Sequence, residues 1–344
     1  MKKRKLLIAA IVVFSVLLSS FALYFYQIFY TPNILVDQQD RLFFIESGSS
    51  FKKVQNDLFE QGYVKDLVSF GFLARLLDYH KSIKPGRYLL RSEMTNKEAL
   101  DLFRSGNQKP TRITFTGART DSVLAERICN SIELEAQLFL DHYRKESTRK
   151  TYGFDTTDFI SMFLPDTYEV YWNIKLEDLF DRFKKEYDSY WNEKRMQLAD
   201  SIQLSKTEVI TLASIVKGEI AKIEEAPVVA GVYMNRLKKG IPLQADPTLI
   251  FALGDYSIKR VLNIHKELDS PYNTYKNRGL PPGPINLPSK PIIDAVLNYE
   301  RHNYYYFCAK PDFSGYHNFA STLAQHNRNA RLWRRALNKA RIYR

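Results

Sequence analysis

The chain has 344 residues, 45% hydrophobic and 26% charged, a balance that excludes a disordered polymer and leaves room for two or three folded domains. Its formal net charge of +12 favours anionic partners such as nucleic acid, anionic lipid or an acidic polymer. Two distant cysteines, Cys129 and Cys308, exclude a disulfide framework and a paired-cysteine metal site, and allow one bridge at most.

Lys2, Lys3, Arg4 and Lys5 precede a stretch without charge from Leu6 to Val36. Its densest part, Leu6 to Tyr26, forms a helix of roughly 30 Å, enough to cross a bilayer. The cations stay on the cytoplasmic side, and Tyr24, Phe25, Tyr26, Phe29 and Tyr30 form an interfacial belt at the far end. A cleaved signal peptide is the rival, but its apolar region is usually shorter, and no small-x-small site precedes Tyr24. Residues 1–5 are therefore read as a cytoplasmic tail and 6–30 as a single retained anchor. Everything from Asp37 onward then lies outside the cytoplasmic membrane, which argues against nucleic acid as the partner.

Arg41 to Glu46 reads as a strand, followed by a helix from Phe51 to Gln61 that Ser49 and Ser50 cap and Gly62 stops. A helix over Lys65–Tyr79, a Pro85-Gly86 turn, a strand Arg87–Leu90, a helix Asn96–Arg104 and a strand Arg112–Thr116 complete residues 37–115. This strand, two helices, strand order is similar to a LysM module, a small peptidoglycan-binding unit. A structural spacer is the plainer alternative. The spacing predicts a helix over Arg119–Glu146, a shaped loop around Pro165, and a long amphipathic helix from Leu176 to Asp200 whose aromatic stripe is core.

Ser205 and Glu208 make a capping box for a helix running to Glu219, with Val209, Leu212, Ala213 and Val216 on its buried face. Glu219 falls beside that face, near the negative end of the helix dipole. Both factors disfavour the anion and raise its pKa, as a general acid requires. An ordinary solvated Glu is the competing reading. A Pro-started helix follows to Lys239, and Gly231 inside it marks close packing, here against the helix bearing Glu219.

Asp246 precedes Pro247 and is expected to be extended rather than helical. Ser270–Tyr275 and Gly279–Asn286 read as a rigid, Pro-rich loop whose Tyr272, Asn273 and Thr274 suit a polysaccharide better than a phosphate. Tyr304–Ala309 reads as a strand, and Gly315–Ala320 leads into a helix carrying His326 and Asn327. A buried structural role is the equal alternative for His326. No H-E-x-x-H, Walker or G-x-S-x-G motif is present, and no metal or other cofactor is implied. The carboxylates gathered here are Glu219, Glu224, Glu225 and Asp246. A hydrolytic glycosidase uses two at a defined separation, whereas a lytic enzyme manages with one.

Seven ordered pieces carry a family resemblance: Phe163–Tyr168, Leu212–Val216 with Glu219, Val232–Leu237, Leu243–Thr248, Tyr272–Tyr275, Gly279–Ile285, and His317–Phe319 with His326-Asn327. On these the chain resembles the YceG-like (MltG) family of endolytic murein transglycosylases. The resemblance implies an α+β protein with one transmembrane helix, a LysM-like subdomain at 37–115 and a mixed α/β catalytic domain at 116–344. It implies an inner-membrane enzyme, N-terminus cytoplasmic, that cuts nascent peptidoglycan strands to anhydro-muramoyl ends beside the peptidoglycan synthases. Glu219 aligns with the catalytic Glu. Gln244, Asp246, Tyr272, Asn273, Thr274, Asn318, His326 and Asn327 are the expected substrate-binding residues. Where the family has an acidic residue two positions before that Glu, this chain has Lys217, which must point away if Glu219 is to keep its proton. The alternative function is a non-catalytic peptidoglycan-binding scaffold.

Overall fold

A computed structural model describes residues 2–258 and 261–340; parts of the expected 1–5 tail and 116–344 domain, namely Met1, 259–260 and 341–344, lie outside the described residues. The chain divides into two compact units. The first is Met1–Arg112 with Ser131–Glu133 and Glu169–Ile174; the second is Ile113–Asn130, Leu134–Tyr168 and Lys175–Arg344.

In the first unit, helix α1 (Lys2–Tyr30) is long and apolar enough to cross a membrane. Its large apolar side chains from Leu6 to Tyr26 are exposed, whereas Ile28 in the last turn joins the unit's core. There Asn96 Nδ2 donates to the Ile28 carbonyl at 3.2 Å. Strand β1 (Pro32–Ile34) comes next, then β2 (Arg41–Ile45), α2 (Phe51–Glu60) and α3 (Leu67–Leu76). Helix α3 is shorter than the expected 65–79 because Asp66 caps it at one end, and Asp78, at φ 58°, has left the helix at the other. Strand β3 (Gly86–Leu90) pairs antiparallel with β2, placing Phe43 opposite Tyr88. Strand β4 (Met94–Thr95) pairs with β1, and α4 (Asn96–Ser105) starts on a Thr95–Glu98 capping box. Alternate residues of β2 and β3 face inward with Leu58, Phe70 and Phe103, forming one apolar core.

Strand β5 (Thr111–Thr114) pairs with β6 (Thr167–Val170). Between them the single helix expected over 119–146 is three: α5 (Asp121–Cys129), α6 (Ala136–Arg144) and α7 (Glu146–Tyr152). The cap of α5 is Thr120, whose hydroxyl accepts from Val123 N. The long helix expected over 176–200 also breaks, into α8 (Leu176–Tyr190) and α9 (Glu193–Ser201), because the Asn192 side chain accepts from Arg195 N and caps a new start. The aromatic stripe of α8 is core: Phe180 and Phe183 are fully buried against Phe163, at centroid separations of 5.6 and 5.1 Å.

Helix α10 (Lys206–Glu219) runs through the middle of the second unit, buried continuously from Val209 to Val216. It packs on α11 (Ala226–Lys238), α12 (Asp246–Leu253) and α13 (Lys290–Leu297). A hairpin of β7 (Tyr306–Ala309) and β8 (His317–Ala320) lies against α14 (Leu323–Lys339). Both cysteines are free.

Two local expectations are corrected. Asp246 is the first residue of α12, because Pro247 in the first helical turn needs no amide donor there. Gly231 does make room for a close neighbour, but that neighbour is not α10. A Cβ at Gly231 would meet the Glu300 carbonyl at 2.3 Å and His302 Nε2 at 2.7 Å, so the glycine admits the segment leading to β7.

Candidate active site

The capping box of α10 forms as the sequence predicts: Ser205 Oγ accepts from Glu208 N, and Glu208 accepts from Ser205 N. The helix therefore starts at a defined residue and delivers Glu219 at its last position. Around that carboxyl is a cleft of about 390 Å³, with Tyr233, Arg236, Gln244, Asp246, Tyr275, Tyr306 and His326 among its wall residues.

Glu219 is half-buried. Burial, and secondarily the negative charge of Asp246, raise its pKa to about 7; a hydrogen bond from the Tyr233 hydroxyl to Oε1, at 3.1 Å, opposes the rise. A single glycine sets up the encounter with Asp246. A Cβ at Gly218 would meet Pro247 Cβ at 2.7 Å, so the bare backbone of α10 lets the start of α12 come close. The Asp246 carboxylate is itself oriented by the Tyr275 hydroxyl, which donates to Oδ1 at 2.5 Å.

Arg236 is the frame of the cleft. Its Nε donates to the Pro242 carbonyl at 3.0 Å, Nη1 to the Tyr305 carbonyl at 2.9 Å, and Nη2 to Gln244 Oε1 at 2.7 Å. It thus ties α11 to the loop before α12 and to the start of the hairpin. Its neighbour Asn235 holds the carbonyls of His302 and Tyr304. At the far side of the hairpin, Glu225 accepts from His317 N and Nδ1, both at 2.8 Å.

Lys217 turns away from Glu219. Its Nζ donates to the carbonyls of Leu287 at 2.6 Å and Thr116 at 3.3 Å, and it lines a different cavity. The cleft therefore holds an acid that keeps its proton near neutral pH, a second carboxylate and aromatic walls, and it can protonate a leaving oxygen. Among the described residues no cluster of metal-ligating side chains occurs.

Residues 43–332 match the YceG-like family. The chain belongs to the YceG-like family. An endolytic murein transglycosylase of Streptococcus pneumoniae is 26% identical to it over 363 residues, covering 94% of this chain and 64% of that protein. One of Bacillus subtilis is 38% identical over 153 residues, covering 44% of this chain and 41% of its own length. This YceG-like chain thus spans less than two thirds of these relatives. A crystal structure of a yceG-like protein from Listeria monocytogenes superposes with a TM-score of 0.58 at 25% identity, covering 84% of this chain and 98% of that one.

Of the residues singled out from this YceG-like sequence, Glu219, Gln244, Asp246 and His326 meet in the cleft. His326 stacks on Tyr306 at 5.4 Å; its Nδ1 is buried without a partner, and burial together with Arg236 pushes its pKa down, so the ring is neutral at pH 7. The other five are not among the wall residues. Asn273 is fully buried, its amide donating to the Lys266 and Leu268 carbonyls, so it holds its own loop in shape. Thr274 is also buried and joins Ala245 N and Thr248 Oγ1, fixing the start of α12. Tyr272 packs on Phe251 at 4.8 Å, Asn318 sits in β8 opposite Cys308, and Asn327 is exposed on α14. Tyr233, Arg236, Tyr275, Tyr306 and Phe307 were not singled out. The three-residue spacing of Tyr233 and Arg236, one face of a helix, was the available signal.

Proposed function

We propose that the chain is a membrane-anchored lytic transglycosylase that cleaves the bond between N-acetylmuramic acid and N-acetylglucosamine inside peptidoglycan strands. The observation that carries this reading is the buried Glu219 carboxyl, protonated up to about pH 7 in an aromatic-walled cleft. Glu219 donates its proton to the glycosidic oxygen as the bond to the muramoyl anomeric carbon breaks. The carboxylate so formed takes the proton of that sugar's own C6 hydroxyl, whose oxygen closes on the anomeric carbon. One bond breaks, one forms, Glu219 regains its proton, and no water is consumed. Burial, and secondarily the Asp246 carboxylate, keeps Glu219 from ionising beforehand, and that carboxylate favours the oxocarbenium-like transition state.

Helix α1, long and apolar enough to cross a membrane, supports a single-pass anchor; in this reading the N-terminus is cytoplasmic and the cleft works outside the inner membrane, beside the synthases that extend the strands. The β2-α2-α3-β3 order of the first unit supports a LysM-like module that holds the same polymer.

The test is mass analysis of muropeptides released from purified sacculi by the wild type and by Glu219→Gln. The expected result is anhydro-ended products from the wild type alone. Reducing-end products would replace the lytic step by hydrolysis, and pull-down by sacculi without any product would leave a binding scaffold.

A further inference from the structure

At the end of α10, lined by Lys217 and Gly218 as the cleft is by Glu219, lies a second and larger cavity of about 510 Å³. Arg119, Arg127 and Lys217 contribute to its wall, which contains no carboxylate. None of the three cations is in a salt bridge among the described residues. Each is only partly occupied. Lys217 donates to two backbone carbonyls, which leaves its ammonium one N–H. Arg127 donates through Nη1 to the Gly117 carbonyl, and the Arg119 guanidinium lies over the Tyr256 ring at 5.0 Å from its centroid. The Lys217 amino group is pushed below the usual lysine range, first by burial, then by the charges of Arg127 and Arg119. The three cations therefore repel one another, and an anion placed among them relieves that repulsion.

Asn286 is also on this wall, tied by its amide to the Ser214 carbonyl at 2.8 Å. The volume falls in the range of an organic ligand rather than a small inorganic anion.

We propose that this cavity binds a carboxylate-bearing peptide arm branching from the glycan, with one carboxylate among Arg119, Arg127 and Lys217. The inference rests on the lytic reading above, because it takes the polymer to be peptidoglycan, whose muramoyl sugars carry short acidic peptides. The placement suits that polymer. Gly218 lines this cavity and the adjoining pocket, while Glu219, the next residue, lines the cleft. Asp246 and Pro247 divide in the same way between the cleft and the adjoining pocket. A strand seated at Glu219 thus has its side arm within reach of the basic wall, and the arm's position selects which glycosidic bond meets the acid.

The experiment is calorimetric titration of the full chain in non-ionic detergent with the free tetrapeptide L-Ala-D-Glu-L-Lys-D-Ala, its carboxyl-amidated form, and inorganic pyrophosphate. The wild type is expected to bind the acidic peptide. Arg119→Gln and Arg127→Gln, both at exposed positions and checked for folding by circular dichroism, are each expected to weaken that binding about tenfold, and amidation of the peptide at least as much. The idea is overturned by absent binding, by equal affinity for the amidated peptide or in both variants, or by pyrophosphate binding tighter than the peptide. Binding needs no turnover. Release of anhydro-ended products from intact sacculi by the wild type, measured alongside, tests the lytic reading separately, so either can fail without the other.

Discussion

Two residues apart on α10, Glu219 and Lys217 enter different cavities, and burial moves both toward the neutral form: the carboxyl upward, the amine downward. Their partners differ. Lys217 donates to two carbonyls of the surrounding chain, which fix its amine away from the cleft. Glu219 has one donor, Tyr233, and a like charge opposite, so its anion is left under-served. A buried ionisable group is poised to hold and give up a proton when its charged form is left short of partners; burial beside carbonyl acceptors instead fixes an amine in place.

The hardest test of this contrast removes the acid. Glu219→Gln should lower turnover of sacculi by about 10²–10⁴-fold, the usual contribution of a positioned acid; retention of a tenth of the activity would break the contrast outright. The same substitution should stabilise the fold. Glu219 binds its proton more tightly folded than unfolded, with a pKa of about 7 against 4.5. The wild type therefore loses stability as pH rises between those values, and above pH 7 the loss approaches roughly 3 kcal/mol. Thermal melts of Glu219→Gln and wild type should coincide near pH 4 and separate by pH 8, with the variant higher.

Gly218→Ala should cost about 1–3 kcal/mol of stability by forcing Pro247 off the helix. It should also move the alkaline limb of the pH–rate profile downward, because Asp246 retreats with Pro247; a limb that stays in place would show that the two carboxylates are not coupled through this approach. Asp246→Asn should move the same limb to lower pH without the packing cost, with activity at pH 7.5 down about tenfold at most. Tyr233→Phe is the mildest and has the opposite sign. Loss of its hydrogen bond should raise the Glu219 pKa further and move the limb up, with roughly a two- to fivefold change at pH 7.

Local rules reached some of these features and not others, for identifiable reasons. The capping box, the apolar face of α10 and the position of Glu219 beside that face are short-range properties, carried by residues within a few positions of one another. The break at Asn192 escapes hydrophobic periodicity, which continues across it while the Asn192 side chain caps a new start; α6 restarts after Glu135 without any side-chain cap, so the sequence carries no capping signal there. Asp246 was read as extended because the residue before a proline usually is, yet that dipeptide also opens helices. Asn273 and Thr274 have the chemistry of sugar-binding groups, but that chemistry is spent on holding the loop.

The sequence by itself determined a basic, mixed helix-and-strand chain with one long apolar N-terminal helix, a helix ending on a carboxylate, and a cation two residues before it, because charge, hydropathy and capping are written locally. Only the tertiary structure decided that Pro247 closes on Gly218, that Tyr233 and Asp246 pull the Glu219 pKa in opposite directions, and that Lys217 leaves the cleft for a cavity shared with Arg119 and Arg127. Those outcomes depend on segments far apart in the chain being brought together, and the energy of a buried charge is set by what surrounds it rather than by its neighbours in sequence.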